Sequence, residues 1–558
     1  MKERLLTLRA LAAGSALGAF LCVVNVMVAL KSGLGFGGAQ VAALAGYFWL
    51  RATGGYSTGE NNIIQAAASG AYLSLFAMDS ALAAHYLARG VLLPWPLFLG
   101  LNLAAVALGI MMAVMWRESF IGGSGLPFPT GTAAAELILS LDRAGGGRSR
   151  YLFLGALAGA AIALVVGLGW VPATLPGPLL PAPAWIGLAL SPILFGMGYI
   201  VGWRNGAAVA GGSFISAVVW LTLEGARCDL PFSAHVLHPV VLSGGTTLLV
   251  MSALLTMVAG QRALRPRRPA STSGEAPAPL PAKAPGALRR APSLPWWGLA
   301  VPALAAAGLF FVLSRDVSRT LLILAVLLPL CAAGGVFCTR AAGETGLVPA
   351  ASLGVMTFLL GAVVIRSWEG LLFTGAFVSA TGLATLTMMN TFRAGDILHT
   401  PPAPLAAAQG IGAASGVVAG TLGIYALARV YGLGSEALPA PVSVAWGTLV
   451  EGLSAGRVPL GLDLRVALGA ALVAALLQWR GISPVCLGVG MIVSPAYGLA
   501  MFAGAALRLA FTRAQGRARA TGRDAADLVE RGQGLASGLI VGEGVVTLLL
   551  VIYRLVAG

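Results

Sequence analysis

Residues 10–30 read ALAAGSALGAFLCVVNVMVAL, an apolar run without a charged side chain. A helix needs about 20 mostly apolar residues to cross the hydrocarbon core of a bilayer, so this run is long enough to span it. The basic residues 1–9 before it give the start of the chain the look of a signal sequence, but no Ala-x-Ala cleavage site follows. The sequence therefore predicts a first membrane span with the N-terminus on the cytoplasmic side.

Similar apolar runs recur to the end of the chain. Of its 558 residues, 58% are hydrophobic and 10% are charged, whereas about 25% of the residues of a soluble domain are charged. The net charge of +15 is carried by a few polar loops, as expected for cytoplasmic loops of a membrane protein. We therefore predict an all-α, polytopic transmembrane helical bundle and exclude nucleic acid as a partner.

One segment interrupts the membrane pattern. Residues 263–294 are rich in Pro, Ala and Arg, a composition that cannot form a packed core and favours disorder. Its arginines place it in the cytoplasm. The sequence thus predicts three parts: an N-terminal transmembrane half (1–262), a disordered linker (263–294) and a C-terminal transmembrane half (295–558).

The two halves share landmarks that indicate an internal repeat. Leu126-Pro127-Phe128-Pro129 recurs as Leu438-Pro439-Ala440-Pro441, at an offset of 312. Ser191-Pro192 recurs as Ser494-Pro495, at an offset of 303. Hydropathy places spans near 60–83, 403–428 and 484–510 among others. The segments 127–141 and 440–454 are too short to cross alone, so we expect roughly 14 to 16 spans, with the remaining segments broken or re-entrant.

A polar stretch at 53–65, TGGYSTGENNIIQ, contains the strongest candidate site. Glu60, Asn61, Asn62 and Gln65 adjoin an apolar segment, and each would be costly if it faced lipid. Helical spacing puts Asn61 and Gln65 on one face, and amides offer donors and acceptors that match a peptide backbone. The alternative is a helix start at the membrane interface, where Asn and Glu are hydrated.

A second stretch, LPFPTGTAAAE at 126–136, begins with a proline pair that a helix cannot cross unbroken. Pro127, Thr130 and Thr132 are expected to shape a cavity, because irregular backbone is tolerated in a membrane only where it lines one. Glu136 follows on the same element and is a candidate proton carrier. A helix start at the interface is the alternative.

Two further acids are proton-coupling candidates. Glu543 lies within the apolar segment GLIVGEGVV, and an ionisable residue at such a place is a functional hypothesis by default. Asp396 follows Arg393 by three residues in TMMNTFRAGDILHTPP, so the two are expected to pair on one helix face. A solvated loop is the alternative for this pair.

The sequence contains no motif of a catalytic or metal centre. Its cysteines and histidines lack zinc-ligand spacing, and Walker A, nucleophile-elbow and kinase signatures are absent. We therefore predict no metal, no cofactor and no enzymatic activity. A multi-span membrane enzyme or a channel remains the alternative class.

In this order, the motifs resemble the oligopeptide transporter (OPT) superfamily, and the branch that looks closest is the yellow-stripe-like one. ENN-Q matches Glu60, Asn61, Asn62 and Gln65, LP-P-TGTA matches Leu126, Pro127, Pro129, Thr130, Gly131, Thr132 and Ala133, and SP-G-GY-G matches Ser191, Pro192, Gly196, Gly198, Tyr199 and Gly202. Residues 388–402 and 537–544 look like later segments of the family. A high Ala, Gly and Arg content suggests a bacterial member.

The resemblance implies proton-coupled symport of small oligopeptides without ATP. Its alternative is symport of metal–chelate or amino-acid-derived substrates. The expected partners are a small peptide or peptide-like chelate, protons and membrane lipid, and a homo-oligomer is left open. The expected location is the bacterial inner membrane.

Overall fold

The computed structural model describes residues 5–32, 38–70, 74–122, 125–142, 147–176, 183, 185–236, 238–245, 247, 248, 251, 255, 297–345, 350–435, 438, 440–456, 463–480, 482, 484–520 and 528–557. The predicted linker at 263–294, and with it the predicted boundaries of the halves, lies outside these residues.

The N-terminal half contains α1 (Leu8–Ser32), α2 (Ala39–Ala52), α3 (Thr58–Ala68), α4 (Ser74–Arg89), α5 (Trp95–Arg117), α6 (Pro129–Asp142), α7 (Gly147–Gly167), α8 (Pro192–Val201), α9 (Trp203–Thr222) and α10 (Phe232–Val236). A π-helical turn, Glu118–Gly122, extends α5. Before α8, the three-residue strands β1 (Thr174–Pro176) and β2 (Gly187–Ala189) pair antiparallel, with Leu175 opposite Leu188.

The C-terminal half contains α11 (Trp297–Ser314), α12 (Val317–Thr345), α13 (Ala350–Gly361), α14 (Trp368–Ile397), α15 (Pro402–Tyr431), α16 (Pro441–Ser454), α17 (Leu464–Trp479), α18 (Pro484–Ile492), α19 (Pro495–Ala520) and α20 (Leu528–Ala557). Helix α14 is buried along nearly its whole length, so it is the central element of the bundle.

The predicted membrane fold is confirmed. Within the described ranges, 6 helices are long and apolar enough to cross a membrane: Leu8–Met27, Trp95–Gly122, Trp203–Thr222, Val317–Glu344, Trp368–Ile397 and Pro402–Tyr431. On α17, Leu464, Leu468 and Leu472 are 73%, 65% and 64% exposed. Such a row of exposed leucines suits a face covered by lipid. The number of crossings expected from hydropathy stays a prediction.

Two segments read as single spans from hydropathy are broken in the structure. The span expected near 60–83 is divided into α3 and α4, with Ser69 and Gly70 at the end of α3. The span expected near 484–510 is divided into α18 and α19, because Pro495 starts a new helix. Hydropathy does not detect these breaks, since the residues on both sides are apolar.

The short helices α6 and α16 begin as the proline pairs predict. Each starts at the second proline, and the residue before it is left-handed: φ is 42° at Phe128 and 46° at Ala440. The Phe128 N–H donates to the Gly343 carbonyl at 3.0 Å, and the Ala440 N–H donates to the Leu30 carbonyl at 2.7 Å. The same unusual start at an offset of 312 supports the predicted repeat.

Helices α8–α9 and α18–α19 exchange equivalent glycine contacts. A Cβ atom at Gly198 would overlap the Met501 carbonyl, and one at Gly490 would overlap the Val209 carbonyl. Gly490 lies 292 positions after Gly198, and Met501 lies 292 positions after Val209, so the two contacts are equivalent. Two further pairs of contacts have the same offset. Gly212 packs against Leu487 as Gly504 packs against Phe195, and Gly206 packs against Ala505 as Gly498 packs against Ser213.

This register corrects the pairing of the Ser-Pro segments. Residues 191–201, SPILFGMGYIV, correspond to residues 483–493, SPVCLGVGMIV. The expected match of Ser191-Pro192 with Ser494-Pro495 is wrong, because Pro495 begins α19, the counterpart of α9. The offset falls from 312 to 292 because the segment with β1 and β2, between α7 and α8, has no equivalent in the short connection between α17 and α18.

Candidate functional site

The first polar segment forms the start of α3. Ser57 caps this helix by accepting a hydrogen bond from the Glu60 backbone N–H at 3.5 Å, in the Ser-x-x-Glu spacing of a capping box. The Glu60 carboxylate does not face open space. It forms an ion pair with Arg9, whose Nε lies 3.0 Å from Oε1, and it accepts from the Thr7 hydroxyl at 2.6 Å.

The three amides that follow are buried, and each uses its NH2 group within the protein. Asn61 Nδ2 donates to the Ala43 carbonyl at 3.0 Å, Asn62 Nδ2 donates to the Thr400 hydroxyl at 3.0 Å, and Gln65 Nε2 donates to the Ser69 hydroxyl at 2.9 Å. Among the described residues, no donor reaches the side-chain oxygens of the three amides. A buried acceptor without a donor costs about 1–3 kcal/mol, so this cluster is suited to receive N–H groups.

A fourth amide lies opposite, on α15. Gln409 is buried and donates from Nε2 to the Thr387 hydroxyl at 3.1 Å, and its Oε1 also has no donor in the described part of the chain. The backbones of α3 and α15 approach closely, because Gly70 lies against the Gln409 carbonyl and Gly412 against the Ala67 carbonyl. We call the four buried amides Asn61, Asn62, Gln65 and Gln409 the amide cluster; within it, the Asn61 oxygen lies on the α2 side, against Gly46.

The second segment packs its helix start against the centre of the bundle. The Thr132 hydroxyl donates to the Pro127 carbonyl at 2.7 Å, and Gln40 Nε2 donates to the Thr130 carbonyl at 3.3 Å. Gly131 lies against the Asn390 carbonyl of α14, where a Cβ atom would not fit. Helix α6 also contacts α3, so these two polar segments are neighbours.

The three acids predicted to carry protons have different surroundings. Glu136 is half-buried, and Gln533 of α20 donates to its carboxylate. Asp396 is exposed and pairs with Arg393 at 3.4 Å, as its spacing predicted. Glu543 accepts from the Ser191 hydroxyl at 3.0 Å and from the Ile193 backbone N–H at 2.6 Å.

Glu543 therefore lies at the N-terminus of the short helix α8. At its other end, Arg508 donates to the carbonyls of Tyr199 and Ile200, at 3.2 and 2.6 Å. A carboxylate at the N-terminus and a guanidinium at the C-terminus both stabilise a helix through its dipole. The sequence motifs contain Ser191 and Glu543, but they did not predict that these two residues are in contact.

Sequence reasoning also missed a hydrogen-bonded chain of Ser216, His235 and Glu224. Ser216 Oγ lies 2.7 Å from His235 Nε2, and His235 Nδ1 lies 2.6 Å from Glu224 Oε2. Burial lowers the pKa of His235 below its usual range, which favours a neutral ring that bridges the other two groups. The order of groups is that of a hydrolase triad. It was not predictable from the sequence, because the three residues follow no motif spacing.

This chain of groups anchors structure rather than catalyses. Ser216 is fully buried inside α9, where backbone N–H groups are used by the helix and cannot form an oxyanion hole. His235 also stacks on Trp185, with ring centroids 4.5 Å apart. The chain thus fastens α10 to α9. Elsewhere in the described residues, no three His, Cys, Asp or Glu side chains converge as metal ligands would.

Comparison with known families gives one match over nearly the whole chain. A family model described as OPT oligopeptide transporter protein matches residues 5–227 and 239–554. No curated protein matches the chain. The family match covers both polar segments and the partners that hold them.

Proposed function

The chain belongs to the OPT oligopeptide transporter family and is a membrane transporter of oligopeptides or related substrates, and we propose that it is a secondary active transporter that couples entry of small oligopeptides to entry of protons. The residues proposed to build the substrate-binding site are Glu60, Asn61, Asn62, Gln65, Pro127, Thr130 and Thr132. Gln409, found in the structure, is added to them.

The observation that supports this assignment is the set of unused acceptors in the amide cluster. The four side-chain oxygens, three on α3 and one on α15, lack donors from the described residues. A peptide backbone carries N–H donors at regular spacing. Broken helices that place polar groups in the bundle interior form substrate sites in other transporters.

Glu60 is proposed to act on the substrate indirectly. Its carboxylate is already paired with Arg9 and Thr7, so it fixes the start of α3 and with it the direction of the amides that follow. Pro127, Thr130 and Thr132 are proposed to do the same for α6.

Protons are proposed to be carried by acids near these elements. Glu136 is the better placed of the two membrane glutamates, because the Glu543 carboxylate is already used to accept the Ser191 hydroxyl and the Ile193 backbone N–H at the start of α8. Asp396 is exposed and held by Arg393, which suits exchange of protons with water at the edge of the bundle.

A metal–chelate or amino-acid-derived substrate is the second candidate. It is favoured by Arg117, which is 7% exposed, lies over the Phe392 ring at 5.7 Å and has no acceptor for Nε among the described residues. A free guanidinium N–H suits a carboxylate-rich ligand. The C-terminal carboxylate of a peptide would bind Arg117 equally well, so this residue favours a substrate with a carboxylate in either class.

The proposed location is the cytoplasmic membrane of a bacterium, with the N-terminus inside. Basic residues before α1 support this orientation. Membrane lipid would cover exposed leucines such as those of α17, and association into a homo-oligomer stays open.

The test is uptake of labelled di- to hexapeptides into proteoliposomes, with an acid-outside pH gradient imposed and then collapsed. Saturable accumulation that is lost on collapse is expected. Asn62→Leu removes an amide without changing size, and we expect about a tenfold loss of apparent affinity, the effect of about 1.4 kcal/mol.

The matched control is Thr357→Val, because the buried Thr357 hydroxyl donates only to the Leu353 carbonyl within its own helix. It is expected to transport like the unmodified protein. Gradient-driven uptake of a metal–chelate complex, with no uptake of any peptide, would instead establish the second candidate.

A further inference from the structure

A buried acid outside the two polar segments has no partner in the described structure. Asp79 lies in the second turn of α4 and is 0% exposed, and neither carboxylate oxygen accepts a hydrogen bond from the described residues. An ionised carboxylate without a partner is very costly in an apolar interior. Such surroundings favour an Asp79 carboxyl group that binds a cation, of which a proton is the smallest.

Asp79 and the amide cluster lie on opposite sides of the same helix break. Gln65 belongs to the last turns of α3, Asp79 belongs to the first turns of α4, and Ser69 and Gly70 come between them. Helices α1 and α15 run past both. Gly14 and Gly18 of α1 lie against Ala67 and Ala68 of α3.

Beyond the break, the same two helices reach the level of Asp79. Gly420 of α15 lies against Leu75 of α4 and the Cys22 sulfur of α1. The Cys22 thiol and the Tyr425 hydroxyl are within electrostatic range of Asp79. The neighbouring hydroxyl of Thr421 is buried and also without a partner in the described chain. Helix α15 thus carries Gln409 beside α3, and Tyr425 of the same helix lies within electrostatic range of Asp79.

Among the described side chains, no charged group on the packed helices forms a hydrogen bond with Asp79. The Glu369 carboxylate of α14 is paired with Arg89 at the end of α4, and Arg393 and Asp396 pair with each other. The Tyr425 hydroxyl donates to the Leu93 carbonyl. The remaining described titratable groups on helices that contact α4 are Arg9 and Cys22 of α1, His85 and Tyr86 of α4, Arg117 of α5, Arg429 and Tyr431 of α15 and Glu451 of α16.

The surroundings favour a proton over a metal cation. Hard metal cations are held by several oxygen ligands. One turn away along α4 on either side of Asp79 are the apolar Leu75 and Ala83. The adjacent Ser80 hydroxyl donates to the Phe76 carbonyl, and Cys22 offers sulfur rather than oxygen. A proton needs only one carboxylate oxygen.

We propose that Asp79 is a proton-binding site of this transporter. It lies on α4, and the helix break after Ala68 separates it from α3 and its amides. A proton taken from the acidic side forms an O–H bond at an Asp79 oxygen, and the same bond breaks when the proton leaves on the other side. The coupling role of this site rests on the proposed function, whereas its occupancy by a proton does not.

Occupancy is tested without any substrate by infrared spectroscopy of the purified full-length chain at neutral pH. A difference spectrum between the unmodified protein and Asp79→Asn is expected to show one protonated carboxyl C=O band that the variant lacks. Ser80→Ala is the control, since Ser80 is buried next to Asp79 but donates to Phe76 of its own helix, and it should keep the band. Absence of the band in the unmodified protein would overturn the proposal.

Coupling is tested by comparing two modes of transport in proteoliposomes. Asp79→Asn is neutral and equal in size, so it is expected to keep exchange of labelled for unlabelled peptide while losing pH-driven accumulation by about tenfold or more. Asp79→Glu, which keeps the acid, is expected to retain accumulation and serves as the folding control. Full pH-driven accumulation by Asp79→Asn, or accumulation driven by sodium and lost in that variant, would contradict the proposal. If the unmodified protein transports no peptide, the proposed function fails and the infrared result still decides the occupancy.

Discussion

At the scale of single residues, the polar segment 53–65 contains both an anchor and a proposed binding site. Glu60 anchors the start of α3, and the amides that follow it are proposed to bind substrate. Arg9 binds the Glu60 carboxylate and also donates to the Thr53 and Gly55 carbonyls, at 3.0 and 3.4 Å. One guanidinium thus holds the loop before α3 and the helix start together. Glu60 is committed to this contact, whereas the amides behind it keep free acceptors.

We expect Arg9 and Glu60 to stabilise the protein as a pair. Arg9→Met and Glu60→Gln should each lower the melting temperature in detergent, and the double variant should lose little more than either single one. The losses are expected to be non-additive because the two side chains bond to each other. Additive losses would show that Glu60 acts through a different partner, such as substrate.

Part of this residue-scale organisation is predictable from the sequence. The cost of burying amides predicted that Asn61, Asn62 and Gln65 lie inside the protein, and the structure places them there. The role of Glu60 was not predictable, because its partner Arg9 is 51 residues away in the sequence. That Asp79 has no hydrogen-bond partner among the described residues is likewise evident only once the neighbouring helices are in place.

At the scale of elements, glycines set the distance between α8–α9 and α18–α19. Gly212 and Gly504 occupy equivalent positions, and each lies against a backbone carbonyl, of Leu487 and of Phe195. Backbone atoms cannot move aside as a flexible side chain can. A methyl group at either position must therefore push two helices apart.

We expect Gly212→Ala and Gly504→Ala to destabilise the protein by similar amounts, about 1–3 kcal/mol each, the usual cost of overpacking. The control is Gly469→Ala on α17, where nothing lies within 4 Å. It should be neutral or stabilising, since alanine favours a helix over glycine by about 1 kcal/mol. Thermal unfolding in detergent measures all three, and a loss at only one of the two paired sites would contradict the equivalence of the helix pairs.

The element boundaries show where sequence patterns suffice and where they do not. Proline pairs correctly predicted the starts of α6 and α16, because proline fixes the local backbone. The Ser-Pro register was wrong, because the repeat loses the β1–β2 segment in its second copy and a constant offset no longer applies. The break after α3 was hidden since Ser69 and Gly70 hardly change hydropathy.

At the scale of the whole molecule, both halves contribute to the candidate site. Helices α1 and α3 come from the first half, and α14 and α15 come from the second; Asn62 bonds to Thr400, 338 residues away. Composition alone predicted a helical membrane protein, which the structure confirms. It could not predict which helices meet, because apolar helices in lipid are sorted by small residues and polar contacts rather than by hydropathy.

Substrate binding at the amide cluster is proposed to be coupled to proton entry. This coupling is measured by the lumenal pH of proteoliposomes after peptide is added outside, with no gradient imposed. We expect peptide to acidify the lumen in a saturable way, and Asn62→Leu to require about tenfold more peptide for the same effect. Entry of labelled peptide with no change in lumenal pH would contradict coupling to protons. An unchanged peptide requirement in Asn62→Leu would contradict the placement of the site.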